Sequence, residues 1–427
     1  MNTLFLLPLL LPISTSFNTY RPPRSLDPKQ VEELRKLRAK SINNFGQSML
    51  LSSDQEENNS FLSPTSVFTA LSMAASGAAE ETLDQFNEVL HLGSSNSRDG
   101  LISTTGLLTD AKHRENTPQL YTEANAIWIA DDLRVEPTFI TNMETVFDGT
   151  AQKVSFGLES AVTTINSWVK EHTNGLIEDI VENLSASTRL VITNALHFKM
   201  GWKTPFEKAF TKTEPFRPFN AQPKDVSMMH STKSLRYSAN NQFTSIILPF
   251  ENRFSNMLVV LPNNNSEEAL KTCAHSVFSA ENFSKLVEST KKERISLSFP
   301  RFTLERSYTL TENLQEMGLT RAFSEDAQFP GISPEPLFIS KVIHKTKLVV
   351  DEDGVEAAAA TAVIMDKLAM FEAEKDPIPF IVDRPFITAL FDTRTNEVFF
   401  SGIIRNVESP PASEKEERTP GSGNEEL

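Results

Sequence analysis

Residues able to do covalent chemistry are few and scattered in this 427-residue chain. Its seven histidines are dispersed, Cys273 is its only cysteine, and its 15 glycines form no phosphate-cradling loop. No Gly-x-Ser-x-Gly elbow, His-Glu-x-x-His helix or Cys/His zinc spacing occurs, so an enzyme is not expected, nor any metal or cofactor. The chemistry on offer is that of a backbone ready to pair. From Val355, period two puts Val355, Ala357, Ala359, Thr361, Val363 and Met365 on a face without charge. The opposite face holds Glu356, Ala358, Ala360, Ala362, Ile364 and Asp366, charged only at its ends. Such small side chains would let the segment slide between two existing strands, and Gly354 supplies a backbone that can swing. Alanine runs are also the best helix formers, so periodicity alone favours a surface helix here.

The elements around this segment decide between the two readings. A helical region runs from Asp27 to about Leu51, and Ser63-Pro64 opens a second helix that Gly77 ends. Its stripe of Val67, Ala70, Leu71 and Ala74 predicts burial. Glu81 to Leu90 and Pro137 to Phe147 read as helices, and Leu120 to Ile129 as a strand. Ala161, Ile165, Trp168 and Val169 mark a helix lying across a sheet, whereas Leu190 to Phe198 reads as a strand covered on both faces. Further strands are expected at Phe243–Phe250, Met257–Leu261, Ile295–Leu304, Leu337–Val350, Phe386–Phe391 and Val398–Ile404, with a helix over Tyr308–Met317. Irregular interleaving of helices and strands predicts a mixed α+β fold. Asn194 and His344 on apolar strands, and Ser63 and Ser66 at the start of the buried helix, are either four separately satisfied polar residues or one network where strands part.

A hydrophobic content of 39% suits a globular protein with a sizeable core, and no linker divides residues 17–407, so a single domain is expected there. A net charge of −15 speaks against nucleic-acid and anionic-membrane partners. Residues 1–16 read as a secretory signal, with an apolar run from Leu4 to Leu11 and cleavage after Ser16, although no Lys or Arg precedes the run. Secretion would make the sequons at Asn58, Asn183, Asn264 and Asn282 glycosylation sites. The acidic tail 408–427, rich in Pro, Ser and charge, is expected to be disordered.

Several segments, in order, resemble the serpin family from about Asp27 to Val407. They are Asn59-Ser-Phe-Leu-Ser-Pro-Thr-Ser-Val67, Ile165-Asn-Ser-Trp-Val169, Thr173-Asn-Gly175, Thr193-Asn-Ala-Leu-His-Phe-Lys199 with Trp202, Phe299-Pro-Arg-Phe302, Val350-Asp-Glu-Asp-Gly-Val-Glu-Ala-Ala-Ala-Ala-Thr361 and Asp383-Arg-Pro-Phe386. The resemblance implies three β-sheets, about nine helices and an exposed reactive-centre loop offered as bait. A serine protease attacks the loop and forms a covalent acyl complex, and the cut loop then inserts into the central sheet before deacylation. A new strand of about ten residues adds hydrogen bonds at about 1 kcal/mol each, so release on the order of 10 kcal/mol is available.

Matched by position, Glu352, Gly354, Val355, Glu356, Ala357, Ala358, Ala359, Ala360 and Thr361 form the hinge. Ser63, Ser66, Asn194 and His344 match the shutter where the central strands separate, and Trp202 lies at the top of that sheet. Arg301 takes the place of the basic partner of Glu352, a pair worth about 0–1 kcal/mol if exposed. The resemblance puts the attacked bond about fourteen residues past Gly354, at Leu368–Ala369, where leucine fits the apolar pocket of chymotrypsin-like proteases. A one-residue shift gives Lys367–Leu368 and trypsin-like specificity; Met370 and Phe371 are further candidates. Val355 stands where threonine is commoner, and the loop before Pro377 is longer than usual. Lys112, His113 and Arg114 are too few to imply heparin binding, and a monomer is expected. The alternative function is a non-inhibitory relative that carries a ligand, stores or chaperones, but such relatives often place bulky or charged residues where this chain has Ala357 to Thr361.

The inserting face yields a direct test. Ala359→Glu should turn an inhibitor into a substrate, and normal inhibition by that variant would overturn the assignment of faces. Mass spectrometry of the released C-terminal fragment should begin at Ala369; a fragment beginning at Leu368 moves the bond by one residue.

Overall fold

The computed structural model describes residues 27–55, 58–93, 97–114, 121–219, 221–355 and 376–408. Glu356 to Thr361, the candidate bond residues Lys367, Leu368 and Ala369, the signal segment 1–16, and the tail beyond Glu408 lie outside the described residues, as do the side chains of Lys112, His113 and Arg114.

Asp27 caps α1 (Pro28–Ser52) in a capping box with Gln30. After β1 (Ser60–Leu62), the Ser63 hydroxyl accepts the Ser66 N–H at 3.2 Å and starts α2 (Pro64–Ala75), buried at every position. Next come α3 (Glu80–Val89), α4 (Arg98–Arg114), β2 (Tyr121–Ala130), α5 (Pro137–Phe147), β3 (Thr150–Val154) and α6 (Glu159–His172). All nine residues of β4 (Leu190–Phe198) are buried, as its apolar run predicts. The middle of the chain gives β5 (Met200–Gly201), β6 (Lys212–Phe216), β7 (Lys224–Ala239), β8 (Phe243–Pro249), β9 (Ser255–Pro262), α7 (Glu267–Val277) and α8 (Ala280–Ser289). It closes with β10 (Lys291–Pro300), β11 (Phe302–Thr309), α9 (Thr311–Glu316), β12 (Lys341–Val350), β13 (Gly354–Val355), β14 (Ile378–Ile381), β15 (Phe386–Asp392) and β16 (Val398–Ile404).

Among the described residues these strands form a seven-stranded sheet, β3-β2-β4-β12-β13-β5 with β11 also on β12, and a nine-stranded one, β1-β16-β15-β9-β8-β7-β10-β14 with β6 on β7. The larger has two limbs that share β7: Lys224 to Tyr237 pair with β6 and β10, and Arg236 to Ala239 with β8. The three expected sheets are the seven-stranded sheet and these two limbs. With nine α-helices in the described residues, the α+β class and its architecture are as the sequence predicts. Trp168 of α6 meets Trp128 of β2 edge-on at 5.6 Å, so this helix crosses the sheet face. Phe198, Phe302 and Leu348 of the seven-stranded sheet join Met229, Phe386 and Phe400 of the nine-stranded one in a single buried cluster.

Three boundaries differ from the sequence expectations, each for a tertiary reason. Ile295–Leu304 is two strands in different sheets, broken at Arg301. Pro300 has no N–H to extend a ladder, and the buried positions change parity, from Ile295, Leu297 and Phe299 to Phe302 and Leu304. Tyr308 belongs to β11, paired with His344, so α9 starts only at Thr311; cross-strand pairing overrides local helix preference. Residues 337–340 precede β12 rather than belong to it, because Ile339 and Ser340 donate to Ala322 and Leu190 outside the ladder.

Candidate functional site

The parallel strands β4 and β12 lie side by side over seven register pairs, from Lys341↔Val191 to Lys347↔His197. Above His197 they are no longer paired with each other. Gly354 pairs with Gly201, and Val355 pairs with Met200 on one side and Val350 on the other, antiparallel to both. The hinge thus has Gly354 and Val355 between β12 and β5, at the head of the seam between β4 and β12. Val355 is fully buried, on the face the sequence predicts as inward. A Cβ at Gly354 would lie 2.3 Å from the Met200 carbonyl oxygen and 2.6 Å from the Gly201 Cα, so this close approach requires glycine.

The residues before Gly354 are held by main chain and side chain together. Trp202 donates its N–H to the Asp353 carbonyl and its indole N–H to the Asp351 carbonyl, both at 2.9 Å, and stacks on Phe250 at 4.8 Å. Phe206 donates to the Glu352 carbonyl at 2.8 Å. The Glu352 carboxylate accepts from the Thr211 hydroxyl at 2.7 Å and lies 3.4 Å from Arg301 Nε, an ion pair without hydrogen-bond alignment. Arg301 reaches it from the crossover between β10 and β11. Glu352 is only 3% exposed, which takes this pair out of the surface class; removing Arg301 would leave a buried charge poorly compensated. Outside it, Lys208 pairs with Asp353 at 3.1 Å, and that hydrogen bond raises the lysine pKa. Burial pushes the Asp351 carboxyl up, against the amides of Asp353 and Gly354 that it accepts.

Lower on the seam, the four polar residues form one buried network. The Ser63 N–H donates to His344 Nε2 at 3.0 Å, which assigns the ring proton to Nδ1, facing Asn194 Oδ1. The Asn194 amide donates to Ser66 Oγ and Asn125 Oδ1. The network joins α2 to β2, β4 and β12 across the middle of the sheet. Burial holds the His344 pKa down at about 3, so the ring is neutral at neutral pH.

Asn125, Thr211, Lys208 and Phe206 also belong to this site, and the sequence reading passed over them. Asn125 carried a usable signal, a polar residue on an otherwise apolar strand like Asn194. Thr211, Lys208 and Phe206 had none, because only the fold brings them to residues about 140 positions away. The sequon asparagines Asn58, Asn183, Asn264 and Asn282 are all exposed, the last of them within α8.

The family model described as serpin, serine protease inhibitor, matches residues 40–407. The chain is similar to an uncharacterised serpin-like protein of Thermococcus kodakarensis, 36% identical over 372 residues that cover 86% of this chain and 85% of that one. It is 32% identical to the leukocyte elastase inhibitor of Bos taurus over 81% of this chain and 92% of that protein. Among solved structures it resembles the thermophilic serpin tengpin in its native state, with TM-score 0.77, 27% identity, and coverage of 90% of this chain and 96% of that one.

Two measurements probe this geometry. Because the folded His344 pKa lies below the unfolded value of 6.5, its contribution is intact above pH 6.5 and is lost as pH falls toward 3. Between pH 6.5 and 4.5 the wild-type native-state transition should weaken by up to about a hundredfold in equilibrium constant relative to His344→Gln; parallel pH profiles would contradict this. Gly354→Ala should expel β13 and abolish hydrogen-exchange protection of the Val355 amide while β9 and β15 stay protected. Retained protection at Val355 would show that the close approach is not required.

Proposed function

The chain belongs to the serpin family, matched over residues 40–407, and on that premise we propose that it is a suicide inhibitor of serine endopeptidases, favouring chymotrypsin-like enzymes. The observation that carries this reading is the position of Gly354–Val355, paired on both sides between Val350 and Met200–Gly201 at the head of the β4–β12 seam. A strand inserted there would need that seam to open and would extend a ladder that has already begun. The small residues Ala357 to Thr361 fit such a slot without overpacking.

In this mechanism the protease serine oxygen attacks the Leu368 carbonyl and forms an ester, and the Leu368–Ala369 bond breaks. The Ala369 amine leaves with the proton passed by the protease histidine. Water would normally hydrolyse the ester. Insertion of the freed loop end competes with that step by carrying the protease along and distorting its catalytic site. The inhibitor acts as a stoichiometric trap rather than as an enzyme. The same reading has the protein secreted after cleavage behind Ser16, glycosylated at its exposed sequons, and active as a monomer without heparin.

The test is incubation of the full chain with chymotrypsin, neutrophil-type elastase and trypsin, followed by a denaturing gel. A band with the combined mass of protease and cleaved inhibitor is expected with chymotrypsin. Cleavage without an SDS-stable complex for any serine protease would overturn the inhibitory reading and favour the carrier or storage alternative. A complex with trypsin alone would move the attacked bond to Lys367–Leu368.

A further inference from the structure

One lysine touches the supports of both ends of the 356–375 segment. Ile378, the first residue of β14, pairs with Ile295 of β10, and Ile295 pairs with Lys233 of β7. Laterally paired residues share a sheet face, so Lys233 stands in the row where the chain enters β14. Its Nζ donates to the Thr204 carbonyl at 2.5 Å and sits 3.6 Å from the centroid of the Phe206 ring. Residues 202–206 are the stretch whose backbone supports the hinge: Trp202 and Phe206 donate to the carbonyls of Asp353 and Glu352.

We infer that Lys233 is a positioning residue for the hinge, fixing Thr204 and Phe206 so that Glu352 to Val355 stay seated between β12 and β5. Its consequence for protease trapping rests on the inhibitory reading; its geometry does not. The two ends of the loop are thereby tied to one brace, β14–β10–β7–Lys233–Phe206–Glu352. Loosening it would unseat the two residues that begin the new strand, and insertion would have to start without them.

The surroundings of Lys233 make the brace sensitive to protons. Its own strand offers Ser231 and Leu235. β10 offers Ile295, between the exposed Glu293 and the buried Leu297, and β14 offers Ile378 beyond it. The 202–210 stretch offers Phe206, with Lys203, Glu207 and Lys208 exposed around it. Among the described residues no carboxylate pairs with the ammonium, and burial pulls its pKa down to about 7. The hydrated amine of an opened brace keeps its proton up to about 10.5, so opening takes up a proton above pH 7. Raising the pH favours the closed brace, and the opening equilibrium should grow about tenfold from pH 8 to pH 6.

Hydrogen exchange of the full chain at pH 6 and pH 8, corrected for intrinsic rates, reads this at the amides of Trp202, Phe206 and Val355. Wild type should show the tenfold ratio. Lys233→Met should show no pH ratio and faster exchange at pH 8, because Thr204 has lost its donor. Lys233→Arg, charged at both pH values and able to reach a carbonyl, should also be flat in pH but more protected than Lys233→Met. A wild-type ratio retained in either variant, or unchanged protection in Lys233→Met, overturns the proposal. Amides of β9 and β15 report global misfolding, in which case the arginine variant decides. With a protease that wild type traps, Lys233→Met should consume several-fold more inhibitor per trapped enzyme. If wild type traps none while the exchange pattern holds, the inhibitory reading fails and the positioning role stands.

Discussion

The seam between β4 and β12 is the constraint on which the rest of the molecule depends. Both strands sit in the interior of the seven-stranded sheet, and every residue of β4 is buried. Parting them exposes apolar side chains on two faces and a ladder of main-chain groups that must then find new partners. A strand pairing on both edges would give those groups new partners. Gly354 and Val355 already pair at the head of this seam, between Val350 and Met200–Gly201. Under the proposed inhibitory function, opening this ladder is the work that separates the closed seam from one with an inserted strand.

Polar groups in the middle of the seam make the closed arrangement specific. Apolar side chains alone would tolerate small slips of β12 against β4. His344, Asn194, Asn125, Ser63 and Ser66 are each buried and hydrogen-bonded to one another, and the Asn125 amide also donates to Glu123 at 2.6 Å. Displacing any one of them strands several at once, so the register is held by the cost of an unsatisfied alternative more than by the strength of any single bond. Trp128, whose indole donates to Thr193 at 2.8 Å, and Tyr308, whose hydroxyl accepts the Phe61 N–H at 3.0 Å, extend this pattern to the neighbouring strands.

At the head of the seam the balance is different. The hinge hangs on main-chain carbonyls that accept from Trp202 and Phe206, and the charged side chains refine its position. Glu352 turns inward to Thr211 and Arg301, while Asp353 turns outward to the largely exposed Lys208, where solvent screening leaves little energy. A buried carboxylate beside a partly exposed one gives the hinge a fixed side and a yielding side.

Local rules carried much of this. Ser63 and Pro64 announce the start of α2, and the unbroken apolar run announces β4. The parity change between Phe299 and Phe302 was also written in the sequence, although pairing partners were needed to recognise it as a crossover. Asn194 and His344 declared themselves as polar residues on apolar strands, but nothing local says which polar groups they meet. The family resemblance already pairs Arg301 with Glu352, but that Glu352 is buried, that Thr211 shares its carboxylate and that Lys233 lies against Phe206 were decided only by tertiary structure. Periodicity and capping act within a few residues, so a sequence determines its elements and their buried faces. Contacts between segments more than a hundred residues apart follow from strand order and register, which the packing of the whole sheet selects.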